Sequence, residues 1–280
     1  MSRSLLDGSV PDGAVVVTFD DGYADNLHNA KPLLKRYGVP ATIFIPSGFL
    51  GSEKEFWWDE LDRLLLQPGK LPGRLSLNIN GNTFGWELAE VARYRLSEAR
   101  EHRGWRAWKK PPTPRHSIYQ SLWKALHSMP EDDRHSVLEE LRRWANIGAS
   151  GRPAHRTLSL EEVRNLAQGR PIDVGAHTVT HPALSTLSIA KQRDEIMSSK
   201  SQLEEILGRP VHSFAYPYGK PSDYSADTTN LVRESGFLCA CVNFAGVVER
   251  STGMYELPRV HVPNLDQGRF AEWIAKWLKT

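Results

Sequence analysis

No apolar run in this chain is long enough to cross a bilayer, and its first eleven residues, MSRSLLDGSVP, lack the apolar stretch of a secretory leader. As it stands it reads as cytoplasmic, although a leader already trimmed away would leave the same sequence. Cysteine is nearly missing too, with only Cys239 and Cys241 in 280 residues. Two apart in an apolar strand, they share one face and read as core side chains rather than as a disulfide or a metal pair. A dominant charge sign is also lacking. Lysine and arginine number 35 against 33 aspartates and glutamates, a formal +2 without a long basic run, which argues against a nucleic-acid partner. There is no internal repeat and no low-complexity tract. What remains is an ordinary soluble composition, 40% hydrophobic and 24% charged, long enough for one α/β barrel or two smaller domains.

The stretch around which the chain is organised is VVVTFDDG, Val15 to Gly22. Its β-branched and aromatic residues make an apolar strand too short for a helix, closed by two carboxylates and a glycine. Side chains alternate across a strand, so Asp20 and Asp21 point apart only if the backbone turns, and Gly22 permits that turn. Without a counter-charge the two would repel and one would stay protonated; a metal ion is their natural partner. A helix is predicted from Tyr23 to Tyr37 with Gly38 as its stop, then a strand at Ala41 to Ile45, and together these make a βαβ unit.

Between Glu53 and Pro153 the texture changes. Seven of the nine tryptophans lie there, with a loop-like KKPPTPRH, which predicts an insertion with its own small core. Its clearest helix runs from Pro130 to Asn146, with an acidic first turn and Gly148 after its end. The tryptophans read as core packing, with stacking against sugar rings as the functional alternative. Residues 1–52 and 154–280 would then form the main domain and 53–153 the insertion.

From Thr157 the alternation resumes. Ser159 and Glu162 form a capping box opening a helix to about Gln168, and Ile172 to Val174 is a strand. A long helix carries Ile189, Ile196, Leu203 and Leu207 on one face and ends at Gly208. Strands at Val211 to Tyr216, Phe237 to Val242 and Leu257 to Val262 follow, with helices near Ala226 to Ser235 and Asp266 to Leu278.

Two further constellations sit at predicted strand ends. In DVGAHTVTHP, His177 and His181 are spaced by four, so a tight loop or one helical turn points both imidazoles at one centre. In a parallel barrel every strand's carboxyl end lies on one face, where the histidines can meet the aspartates. One carboxylate and two imidazoles leave coordination positions open, as a catalytic metal requires, and the other carboxylate remains to take a proton from water. The third stretch is SFAYPYGK, Ser213 to Lys220, a strand running into Pro217-Tyr218-Gly219 as a wall of the same pocket.

TFDDG, HTVTH and AYPYG, in that order, resemble three motifs of the polysaccharide deacetylase family, the NodB-homology or carbohydrate esterase family 4 group. The resemblance implies a distorted (β/α)7 barrel and metal-dependent removal of an N-acetyl group from an amino sugar. It implies Asp20 as general base and Asp21, His177 and His181 as ligands of one divalent transition metal, zinc first, with cobalt or nickel able to substitute. Pro217 and Tyr218 would meet substrate, the Tyr218 N–H helping to hold the oxyanion. His261, in LPRVHV, is the candidate general acid. An N-acetylated glycan or its precursor is the partner; a cytoplasmic enzyme would meet a precursor of a surface polysaccharide. The chain departs from the family at Ala215, where many members carry an arginine contacting the base. Arg259, two residues before His261 on one strand face, is the candidate replacement.

Overall fold

Residues 9–278, other than 12, 80, 89–91 and 170, are described by the computed structural model. Strand β1, Val17–Phe19, is shorter than the valine run suggests. It pairs in parallel only with β2, Ala41–Ile45, and the register begins at Val17 opposite Ala41, just after Pro40. Beyond that pairing Val15 and Val16 are exposed. The helix predicted from Tyr23 starts later. Tyr23 instead bridges Thr157, a wide turn follows over Asn26–Ala30, and α1 covers Lys31–Tyr37. Pro32 explains the irregular start, because it has no N–H for the carbonyl four residues back.

Two compact units share the chain, one formed by the residues up to Gly51 and from Thr157 onward, the other by Ser52–Arg156. The second contains α2 (Trp57–Leu65), the short strands β3 (Gly69–Lys70), β4 (Arg74–Ile79), β5 (Asn82–Glu87) and β6 (Arg93–Tyr94), and then α3 (Leu96–His102), α4 (Pro114–His127) and α5 (Glu131–Ala145). Its own core includes Trp57, Leu61, Leu64, Ile118, Leu122 and Leu141, whereas Trp108 is exposed, so the tryptophans divide between packing and surface. Asn146, at φ 53°, caps the end of α5 where that end was expected, since asparagine tolerates the left-handed region. Buried Arg115 donates to four main-chain carbonyls, those of Leu65, Gln67, Gly69 and Ala92, and so stitches one turn of this unit together.

In the first unit, α6 (Leu160–Ala167) opens on the expected capping box: the Ser159 N–H donates to Glu162 Oε2 at 2.9 Å and the Glu162 N–H to Ser159 Oγ at 3.2 Å. Then come β7 (Ile172–Ala176), α7 (Ile189–Leu207), β8 (Ser213–Ala215), α8 (Ala226–Glu234), β9 (Cys239–Cys241) and α9 (Gln267–Trp277). Among the described residues the sheet is β1-β2-β7-β8-β9, parallel throughout. Leu257 adds a bridge to Cys241, and the result is a curled half-barrel with five paired strands of the seven the resemblance implies. No strand forms over Leu257 to Val262. The ladder stops because the Val242 carbonyl, its next acceptor, accepts from the Arg259 Nε instead, and the Arg259 N–H turns to the carbonyl of Phe244. No helix among the described residues is long and apolar enough to cross a membrane.

The period of two sorts the sheet's faces. Ile43, Ile45, Val174, Ala176, Phe214, Ala240 and Val242 pack with Leu166, Ile196, Leu203 and Leu231 of the helices. Phe44, Ala215, Cys239, Cys241 and Leu257 make a second, smaller cluster on the opposite face. Both cysteines are buried and neither is in a disulfide, as their placement on one strand face implied, and burial pushes the Cys241 thiol up to about 12.

Gly175 shows how tight the smaller cluster is: a Cβ there would lie 2.4 Å from Phe44 Cδ1 and 2.8 Å from Ser213 Oγ. Gly175→Ala is therefore expected to cost about 1–3 kcal/mol, the usual range for overpacking a core. Urea denaturation measures it; an unchanged midpoint would mean that Phe44 moves aside freely.

Candidate active site

Because all five strands run in parallel, the residues that follow β1, β7, β8 and β9 emerge at one edge of the sheet. The two aspartates separate there because the backbone turns. Asp20 continues the face of Thr18, and Asp21, at φ 71°, turns away from it. Gly22 follows at φ 62°, where a Cβ would also meet Ile45 Cγ2 at 3.1 Å, so the turn closes only with glycine. The Gly22 carbonyl accepts from the Leu158 N–H at 2.9 Å, which ties the turn to the start of α6.

Asp21 faces the histidine pair. Its Oδ1 lies 3.2 Å from His181 Nε2 and 3.6 Å from His177 Nε2. The two imidazoles are buried, 4.7 Å apart between ring centres, and HTVTH is a tight loop rather than a helical turn. Thr178 and His181 sit at φ 66° and 55°, conformations that bring the second imidazole back beside the first. The His177 Nδ1–H donates to the Ala215 carbonyl at 2.7 Å, which fixes the ring and leaves Nε2 facing Asp21. One donor atom from each of the three residues falls within 4.8 Å of the others. This donor set can hold a metal ion: two imidazole nitrogens and a carboxylate, with further positions open.

Electrostatics agree with that fit. Burial alone would raise the Asp21 carboxyl, but the hydrogen bonds and charges of His177 and His181 outweigh it and hold the group well below the usual carboxylate range. His177 is pushed up, burial being overcome by Asp21 and Asp20, whereas at His181 burial prevails and the pKa falls. A stable anion lies among groups that compete to supply it with positive charge, the role a divalent cation takes when bound.

Asp20 stands outside this trio and has a different partner. Arg259 clamps its carboxylate from both sides, Nη1 to Oδ1 at 2.7 Å and Nη2 to Oδ2 at 2.8 Å. Nη1 also donates to Thr18 Oγ1 at 3.1 Å and Nε to the Val242 carbonyl at 3.0 Å. The guanidinium lies over the Phe44 ring, 5.6 Å from its centre. Ala215, with a short side chain, is fully buried in the same small cluster as Phe44.

Tyr218, at φ 60°, sets its ring edge-on to His181 at 4.7 Å, and Pro217 before it is buried. The Gly219 carbonyl accepts from the Asn243 N–H at 2.8 Å, joining this turn to the end of β9. The structure thus gathers Asp20, Asp21, His177, His181, Pro217, Tyr218 and Arg259. It does not gather His261, which is exposed in the extended segment after Arg259 and makes no hydrogen bond or ion pair among the described residues. Two contributors carry no sequence signal of their own: the Ala215 carbonyl, because any residue has one, and Glu195, whose carboxylate binds the peptide between the histidines.

The fold and this centre define the class, an α/β half-barrel with a carboxylate and two imidazoles at its strand ends. The family profile described as polysaccharide deacetylase matches residues 7–68 and 142–240, and the chain belongs to that family. YxkH of Bacillus subtilis (strain 168), a protein named for the same family, is 36% identical over 80 residues; that match spans 28% of this chain and 29% of YxkH. The Streptococcus pyogenes deacetylase PplD, solved with acetate, is similar in fold, with a TM-score of 0.54 at 18% identity over 97% of this chain and 75% of that one. IcaB from Ammonifex degensii is similar too, with a TM-score of 0.54 at 17% identity, covering 99% of this chain and 79% of IcaB.

The two aspartates differ in their partners, and metal binding can separate them. Titration of purified protein with a divalent transition metal is expected to give one ion per chain. His177→Ala should lose it and Asp20→Asn should keep it almost unchanged. Equal loss in both variants would mean that Asp20, not Asp21 alone, serves the ion.

Proposed function

We propose that this chain is a metal-dependent N-deacetylase, hydrolysing the acetamide of an N-acetylated amino sugar in a polysaccharide or its glycan precursor to acetate and a free amine. The observation that carries the reading is the division between the two adjacent aspartates: Asp21 faces His177 and His181, while Asp20 is held apart by Arg259. A bound divalent transition metal, zinc first and cobalt or nickel as substitutes, would supply Lewis acidity toward the acetamide carbonyl and the attacking water.

The remaining steps belong to the chain. Asp20 takes the proton from the attacking water. Arg259 uses one lone pair of each of its oxygens and leaves others for that proton. The Tyr218 N–H donates to the oxygen on which negative charge develops, and Pro217 with Tyr218 walls the site. His261 gives a proton to the departing amine. It does so from an exposed segment, which requires the residues after Arg259 to fold over bound glycan. The ground for a non-catalytic, sugar-binding reading was the arginine missing at Ala215, and the clamp from Arg259 removes that ground. Cleavage of another C–N amide without metal has no observation in its favour beside the intact Asp21, His177 and His181 set.

The test is mass spectrometry of N-acetylated oligosaccharides, chitin oligomers first, incubated with the metal-loaded protein; loss of acetyl is the expected result, and unchanged masses across a broad glycan panel would refute the reading. Asp20→Asn should abolish turnover. Arg259→Ala should lower kcat by about one to two orders of magnitude, the scale for misorienting a catalytic group, with metal retained. Arg259→Lys should recover little, because an ammonium cannot reproduce the two-pronged clamp. Wild-type kinetics from Arg259→Ala would remove Arg259 from the mechanism.

A further inference from the structure

The five residues from His177 to His181 place both imidazoles, and their peptide groups can be followed one by one. The His177 N–H donates to the Ile45 carbonyl at 3.2 Å. The Thr178 carbonyl accepts from the Ser47 N–H at 3.1 Å and the Val179 carbonyl from the Gly48 N–H at 3.0 Å, so the short turn after β2 holds the loop's acceptors. The loop's donors go elsewhere. Glu195 Oε2 accepts from the Val179 N–H at 2.8 Å and the Thr180 N–H at 2.9 Å, and Glu195 Oε1 accepts from Thr180 Oγ1 at 2.6 Å. The His181 N–H closes the set on Thr178 Oγ1 at 3.0 Å.

One carboxylate therefore satisfies three donors of a loop whose two left-handed residues, Thr178 and His181, flank them. Such residues persist only where their surroundings over-determine them. Glu195 comes from α7, which also reaches the opposite side of the loop, since Gln202, two turns further along, accepts from Ser47 Oγ at 2.7 Å. Glu195 is half-buried, and the loop groups it holds are two peptide N–H groups and the Thr180 hydroxyl, so its hold on the centre passes through the main chain between the histidines.

We infer that Glu195 is a positioning residue for the centre: from α7 it holds the main chain between His177 and His181 in the one conformation that aims both imidazoles at Asp21. The inference rests on the reading of that centre as a metal site and goes beyond it, because it assigns metal affinity to a residue outside the Asp21, His177 and His181 set, sixteen positions after Val179.

The test uses Glu195→Ala and Glu195→Gln in the full chain. Glutamine presents a carbonyl oxygen that can accept from both N–H groups and an amide that can donate to Thr180 Oγ1, so it preserves the geometry without the charge. Glu195→Ala leaves the donors unheld. Two readouts are taken: affinity for cobalt(II) by direct titration, and hydrogen exchange of the Val179 and Thr180 amides in the metal-free protein. Glu195→Ala is expected to weaken cobalt affinity by about 10–100-fold, the usual effect of removing a group that orients a ligand, and to speed exchange at those two amides while α7 keeps its protection. Glu195→Gln should stay near wild type on both. Unchanged affinity and exchange in Glu195→Ala overturn the inference, as does Glu195→Gln losing as much as Glu195→Ala, which would make the carboxylate's charge the operative feature. Wild-type protein that binds no cobalt fails the metal reading instead, an outcome the unmutated control separates from the rest.

Discussion

The Arg259–Asp20 pair joins the two sides of the sheet that the backbone leaves apart, and it fixes the one carboxylate of the site that the histidines do not hold. The half-barrel is hydrogen-bonded from β1 through β9 to the bridge at Leu257, and it is open between that last segment and β1. Arg259 spans the opening with its side chain. Its Nε takes the Val242 carbonyl on one side, and its two terminal nitrogens reach Thr18 and Asp20 on the other. A side chain performs what a backbone ladder performs elsewhere in the sheet. The guanidinium suits this work because it is planar, always charged and able to donate in several directions at once. A carboxylate held at both oxygens has little freedom to rotate, which a proton-transferring group needs more than a structural one does.

Around that pair the backbone is held in uncommon conformations with a shared consequence. Asp21, Thr178, His181 and Tyr218 are four of the five non-glycine residues with positive φ among those described, and all four lie at the same strand ends. Each costs something relative to an extended or helical residue, and each turns a side chain or a peptide toward one place. The cost is met by hydrogen bonds from outside the turns: Leu158 to Gly22, Ser47 and Gly48 to the histidine loop, Asn243 to Gly219. The motifs are thus braced by neighbours that are not motif residues themselves.

That distinction explains what the sequence made legible. Carboxylates after an apolar strand, histidines four apart after another, and a Pro-Tyr-Gly turn after a third are local patterns, and parallel pairing was enough to bring them to one edge. The Ser159 capping box and the end of α7 at Gly208 were legible for the same reason. Glu195 was not, because it sits in a helix whose pattern announces only packing, and its partners are chosen by how α7 lies against β7. The start of the first helix was misread where Pro32 interrupts its hydrogen bonds, and the last strand where the Arg259 side chain takes the carbonyl that would have continued the ladder. Pro32 is visible in the sequence, but where an arginine's Nε goes depends on which carbonyls lie within reach.

Arg259 and His261 show the limit of the period of two most clearly. The rule put both on one face of one strand, and the structure separates them, with Arg259 engaged at Asp20 and His261 exposed. Alternation holds while a strand is paired. Here the pairing ends at Leu257: the Arg259 N–H goes to Phe244, and the Val242 carbonyl that would have continued the ladder is taken by the arginine's own Nε. The contact that seats Arg259 thus displaces the hydrogen bond that would have carried the strand on to His261. With Ala215 small and an arginine arriving from the next segment, the guanidinium finds space beside Phe44, and the cost of placing it there is a shorter last strand. The clamp on Asp20 and the exposure of His261 are therefore two results of the same rearrangement.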